Sequence, residues 1–129
     1  MSKYILNDTI DLQPLISTRD FLAEALEKDQ DKFRIAGAIQ AFEVCYELAW
    51  KTGKKVLSFY GIEVNNPRDV FRLIAEKGLV DDPKSWFDYL KKRNITVHEY
   101  QEAIMEKVYP ALPDFLSDFT ALIDKLLTL

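Results

Sequence analysis

The chain has 129 residues, 48% of them hydrophobic and 12% aromatic, with only four Gly and five Pro; this composition excludes a disordered chain and predicts one domain over residues 1–129. One Cys and one His exclude a disulfide framework and a Cys/His zinc site, so neither a metal nor a cofactor is expected. Seventeen basic against 21 acidic residues leave a net charge of −4, which opposes broad attraction to phosphate backbones or anionic lipid and confines any nucleic-acid chemistry to a local basic spot.

The opening residues lack the apolar run of a signal peptide, and no later stretch approaches the roughly 18 uncharged residues of a membrane span. A cytoplasmic protein without membrane contact is expected. Apolar residues recur at helical spacing almost throughout, and Gly and Pro fall where helices should start or stop, which predicts an all-α, antiparallel up-and-down bundle of four or five helices. Asp8 or Thr9 is expected to cap a first helix that carries Leu12, Leu15, Ile16, Leu22 and Leu26 and ends near Lys28. After a turn over Asp29–Lys32, a second helix is predicted from about Phe33 to Tyr60, with Gly61 as its stop. Asn66-Pro67 and Asp82-Pro83 each open a further helix; the first buries Val70, Phe71 and Ile74 and closes at Gly78, and the second carries Trp86, Phe87 and Leu90 and runs toward Arg93. Thr96-Val97-His98-Glu99 fits a capping box, which would put His98 in the first turn of the last helix. From there Ala103, Ile104, Val108, Leu112, Phe115, Phe119, Leu122 and Leu126 continue one stripe, kinked or split at Pro110 and Pro113.

The second helix is apolar nearly all round. One row runs through Ile35, Ile39, Phe42, Tyr46, Ala49, Gly53, Val56 and Tyr60, a second through Ala38, Ala41, Cys45, Leu48 and Thr52, and only Gln40, Glu43, Glu47, Lys51, Lys54 and Lys55 remain polar. A helix of this kind needs cover on two sides, so a homodimer through it is expected. Glu43, Glu47 and Lys51 stand at i, i+4 and i+8; they serve either as supporting residues of a site or as an ordinary surface pair. Asp29-Gln30-Asp31 has the spacing of a metal-binding D-x-D, but no Gly-Ser turn precedes it and helix capping explains it better.

The only His lies five residues after an Arg, in Arg93-Asn94-Ile95-Thr96-Val97-His98-Glu99-Tyr100, next to Lys91 and Lys92. A neutral imidazole can take a proton from a ribose 2′-hydroxyl while a guanidinium counters charge on the phosphorane-like transition state, so His98 and Arg93 are the candidate catalytic pair. A helix start at His98 would add an attraction for phosphate.

Arg93, Asn94, His98 and Tyr100 match R-N-x-x-x-H-x-Y, a form of the R-x4-6-H motif, and here the chain resembles the HEPN domains. Phe42-Glu43, Tyr46-Glu47-Leu48-Ala49-Trp50-Lys51, Pro67-Arg68-Asp69-Val70-Phe71-Arg72, Gly78-Leu79-Val80-Asp81-Asp82 and Trp86 extend the likeness over about residues 39 to 109, toward the branch called nucleotidyltransferase substrate-binding proteins, related to HepT toxins. Gly53 departs from it, standing where a larger aliphatic is the rule. The resemblance implies a dimer whose two Arg/His motifs face a shared cleft, with Asn94 and Tyr100 in support, and a separately encoded small nucleotidyltransferase as partner. It implies two functions: a subunit holding an acceptor, a nucleotide or single-stranded RNA, for nucleotidyl transfer; or a metal-independent endoribonuclease toxin whose antitoxin attaches AMP to Tyr100. A purely structural helical dimer is the third reading.

Overall fold

The computed structural model describes residues 3–27 and 31–129. Five α-helices of ten or more residues are present among them, α1 (Gln13–Glu27), α2 (Lys32–Phe59), α3 (Pro67–Glu76), α4 (Pro83–His98) and α6 (Leu112–Leu126), together with the short α5 (Gln101–Lys107). Most helix boundaries follow from local chemistry. The Asp31 carboxylate accepts from the amides of Phe33 and Arg34 at the start of α2, and Gly61, at φ +82°, turns the chain out of it. Asn66 and Asp82 cap α3 and α4, each followed by its proline. The end of α1 near Lys28, and Asp29 and Gln30 of the D-x-D spacing, lie outside the described residues; Asp31 is the cap of α2.

Two expectations are corrected. The first helix does not open at Asp8 or Thr9. Tyr4–Ile5 (β1) and Ile10–Asp11 (β2) pair antiparallel, with Leu6, Asn7 and Asp8 at φ 53°, 58° and 60° forming the turn, and α1 begins at Gln13, whose amide donates to the Asp11 carboxylate. Asn and Asp suit a left-handed turn as well as a helix cap, and burial of Ile5 and Ile10 decides between the two. Nor does a helix begin at Thr96: α4 continues through His98. No Gly or Pro interrupts the run after Arg93, and the Thr96 hydroxyl donates to the Arg93 carbonyl at 2.6 Å, a helix-interior bond rather than a cap. The break falls at Glu99 and Tyr100, both extended, and Tyr100 stands at the N-cap of α5.

The expected split of the C-terminal segment occurs at Pro110, where a single 3-10 turn (Tyr109–Ala111) separates α5 from α6. α1, α3, α4 and α6 all pack on α2. Most of both apolar rows of α2 is thereby covered within one chain: Ala38, Ile39, Ala41, Phe42, Cys45, Tyr46, Ala49, Thr52, Gly53 and Val56 are buried, Ile35 and Leu48 are half-buried and Tyr60 is exposed. An aromatic cluster fills the middle, with Phe71 stacked on Trp86 at 4.5 Å and Phe42 edge-on to Phe115 at 4.8 Å. Tyr89 donates to Asp118 at 2.5 Å and ties α4 to α6. Gly53 has a packing cause: a Cβ there would stand 2.7 Å from Val70 Cγ1, so its absence lets α3 approach α2. No helix among the described residues is long and apolar enough to cross a membrane.

Candidate functional site

The polar stripe of α2 and the motif segment of α4 meet. The Arg93 guanidinium lies 3.2 Å from Glu47 Oε1, while the other carboxylate oxygen of Glu47 lies 3.6 Å from Lys51 Nζ and accepts from the indole nitrogen of Trp50 at 3.1 Å. Glu47 is thus more than half of a surface pair, because it anchors the arginine of the motif to the spine helix. The Tyr46 hydroxyl and Arg93 Nε are both buried without a hydrogen-bond partner among the described residues. Burial, with the adjacent Glu47 charge, pushes the Tyr46 hydroxyl well above the usual phenol range, against a smaller opposing effect of Arg93.

One turn toward the N-terminus of α2, Glu43 joins Ile35, Ile39 and Gln40 in lining a cavity of about 350 Å³, closed on the other side by Thr96, Gln101, Ile104 and Met105. Carboxylates, an anchored cation and a hollow of mixed polar and apolar lining therefore share one flank of the molecule. Asn94 and His98 are exposed, and Tyr100 is 87% exposed at the start of α5. Lys92 is paired with Asp88 at 2.5 Å, one turn away on α4.

His98 does not open a helix, as its place after Thr96 had suggested. It is the last residue of α4, at the end of the helix where the dipole is negative, so the phosphate attraction argued from a helix start does not apply. Five residues of α-helix separate it from Arg93, about 7.5 Å along the axis and about 140° around it. No hydrogen bond or ion pair joins the two side chains among the described residues. The contributions of Trp50 and Tyr46 were not legible as site residues: at i+3 and i−1 from Glu47 they read as apolar members of a core helix, and only the Glu47–Trp50 spacing of three carried a hint.

Fold and motif together define a HEPN-type helical domain. The chain belongs to the nucleotidyltransferase substrate binding protein like family, whose model matches residues 11–128. A probable ribonuclease HepT of Haemophilus influenzae is 36% identical over 97 residues, covering 71% of this chain and 66% of that protein; an mRNA nuclease HepT of Shewanella oneidensis is 43% identical over 61 residues, 44% of each. The chain thus spans less than two thirds of the length of the curated relatives it matches. A solved Haemophilus influenzae structure, described as revealing the fold of a substrate binding domain of a nucleotidyltransferase, superposes with a TM-score of 0.79 at 29% identity, covering 90% of this chain and 98% of that one. A crystal structure of a Thermus thermophilus protein does so with a TM-score of 0.78 at 28% identity over 87% of this chain and 98% of that one.

Proposed function

We propose that this chain is the substrate-binding subunit of a two-component nucleotidyltransferase, holding an acceptor in the hollow between α2 and the α4–α5 junction. The observation that carries the reading is the convergence of Arg93, Glu47 and Glu43 on that one flank. A fixed guanidinium suits a phosphate or carboxylate on the acceptor, and the mixed lining, Ile35, Ile39, Ile104 and Met105 beside Gln40, Glu43 and Gln101, suits a body with both apolar and polar faces. Transfer chemistry belongs to a separately encoded small nucleotidyltransferase. The test is transfer of label from α-labelled ATP to an acceptor in a mixture of both proteins: transfer that needs both chains and drops at least tenfold in Arg93→Ala supports the reading, whereas transfer by the enzyme alone at the same rate ends it.

Likeness to two HepT nucleases favours a second reading, metal-independent cleavage of single-stranded RNA. His98 takes the proton of a ribose 2′-hydroxyl, the 2′-oxygen attacks phosphorus, and the P–O5′ bond breaks as the 5′-oxygen takes a proton from water, giving a cyclic phosphate end and a 5′-hydroxyl; Arg93 counters the extra negative charge. Because these groups point to different sides of α4, His98 of one copy and Arg93 of another would complete such a site, which calls for a homodimer. The surface open to a second copy lies at the N-terminal half of α2 and on α1, where Phe21, Phe33 and Val44 are 56%, 76% and 44% exposed. The exposed Tyr100 is open to AMP attachment, whose bulk and negative charge would keep RNA phosphate away. Single-stranded RNA that stays intact with purified protein in EDTA, or cleavage by His98→Ala at the parent rate, removes this reading.

A further inference from the structure

We infer that Trp50 and Glu47 form a clamp that positions Arg93 for anion binding; the inference rests on Arg93 being the anion-binding residue of the proposed function. Three observations meet here. Glu47 uses both carboxylate oxygens at once, one toward Arg93 and one accepting from the Trp50 indole N–H, so the indole fixes the carboxylate that fixes the guanidinium. The side chains of Glu47 and Arg93 are only 33% and 29% exposed, so water competes weakly for the pair. Yet Arg93 Nε and the Tyr46 hydroxyl are buried with no partner among the described residues. Buried polar groups without partners are rare because they are costly, and they persist where the surroundings enforce a placement that the group itself does not favour. The clamp enforces it. One guanidinium nitrogen, Nη2, pairs with Glu47 and Nε is buried, which leaves the remaining donors to meet a phosphate from one direction.

A clamp of this kind acts through orientation: holding the guanidinium in its binding geometry before the anion arrives lowers the ordering cost of binding. Trp50→Phe keeps an aromatic ring and removes only the indole donor; Glu47→Gln keeps the shape and removes the charge. The probe is a fluorescein-labelled 2′-O-methyl oligoribonucleotide, which binds but cannot be cleaved through its 2′-oxygen. Fluorescence anisotropy is expected to show affinity falling about tenfold in each variant, and neither substitution should weaken binding further once Arg93 is Ala. Losses that add in full to that of Arg93→Ala would overturn the clamp. In the free protein, the Arg93 Nε–H resonance is expected to exchange slowly with water and to broaden in Trp50→Phe; an unchanged resonance overturns the clamp even if no oligonucleotide binds. Failure of the parent chain to bind the oligonucleotide while that resonance behaves as expected would instead count against RNA as the anion and keep the clamp.

Discussion

At the scale of single residues, the interior holds a thiol and two phenols in their neutral forms, while the polar residues of the candidate site lie together on one flank. Desolvation raises the Cys45 thiol from 9.0 to about 12 and holds the Tyr46 and Tyr89 hydroxyls well above the ordinary phenol value; for Tyr89, acceptance of its proton by Asp118 adds to the effect. An acidic group whose folded pKa is raised contributes stability that is complete below its unfolded pKa and is lost as pH rises toward the folded value, because the unfolded chain gives up the proton first. Chemical denaturation is therefore expected to show stability falling from about pH 9 upward. In Cys45→Ala the part of that fall owed to the thiol, on the order of 2 kcal/mol by about pH 11, should be missing. Equal slopes for the two proteins would show that Cys45 is not held neutral. On the charged flank, the residue types were legible in the sequence: Arg93, His98 and Tyr100 stand in one motif, and Glu43, Glu47 and Lys51 on one stripe. Their pairing was not, because the Glu47–Arg93 contact joins residues far apart in the chain and depends on how α4 docks against α2.

At the scale of elements, the helices of the middle of the chain were readable because Asn66-Pro67, Asp82-Pro83 and Gly61 are strong local signals. The two boundaries that moved are those where one residue type serves two purposes. Asn7-Asp8-Thr9 can start a helix or turn a hairpin; Thr96 can cap a helix or sit inside one. The difference is measurable. An N-cap threonine replaced by alanine costs about 1 kcal/mol, whereas Thr96, inside α4 with its hydroxyl on the Arg93 carbonyl, should tolerate alanine within about 0.5 kcal/mol in urea unfolding. A loss near 1 kcal/mol would restore the capping box and the helix start at His98. The close approach of α3 to α2 is likewise testable. Gly53→Ala gains about 1 kcal/mol of helix propensity but drives a methyl group against Val70, at a cost of about 1–3 kcal/mol, so a net loss is expected. In a Val70→Ala background the same substitution should turn neutral or stabilising; a loss undiminished there would mean that Val70 is not the obstacle.

At the scale of the whole molecule, composition pointed to an acidic chain with too few Cys and His for a zinc site, periodicity pointed to a helical bundle, and the bundle covers most but not all of its spine helix. What remains exposed is then the informative surface: an apolar face at Phe21, Phe33 and Val44, and a flank where the motif segment meets the carboxylates of α2. Length, composition and periodicity could not foresee this division, because it depends on how much of α2 the other helices reach. Two separate open surfaces are what the proposed second copy and the proposed nucleotidyltransferase partner would each require. Sedimentation velocity of the purified chain mixed with the proposed partner, a separately encoded small nucleotidyltransferase, at micromolar concentration, tests this most directly. The account predicts a single faster boundary that contains both proteins, and two boundaries at the positions of the separate components would contradict it.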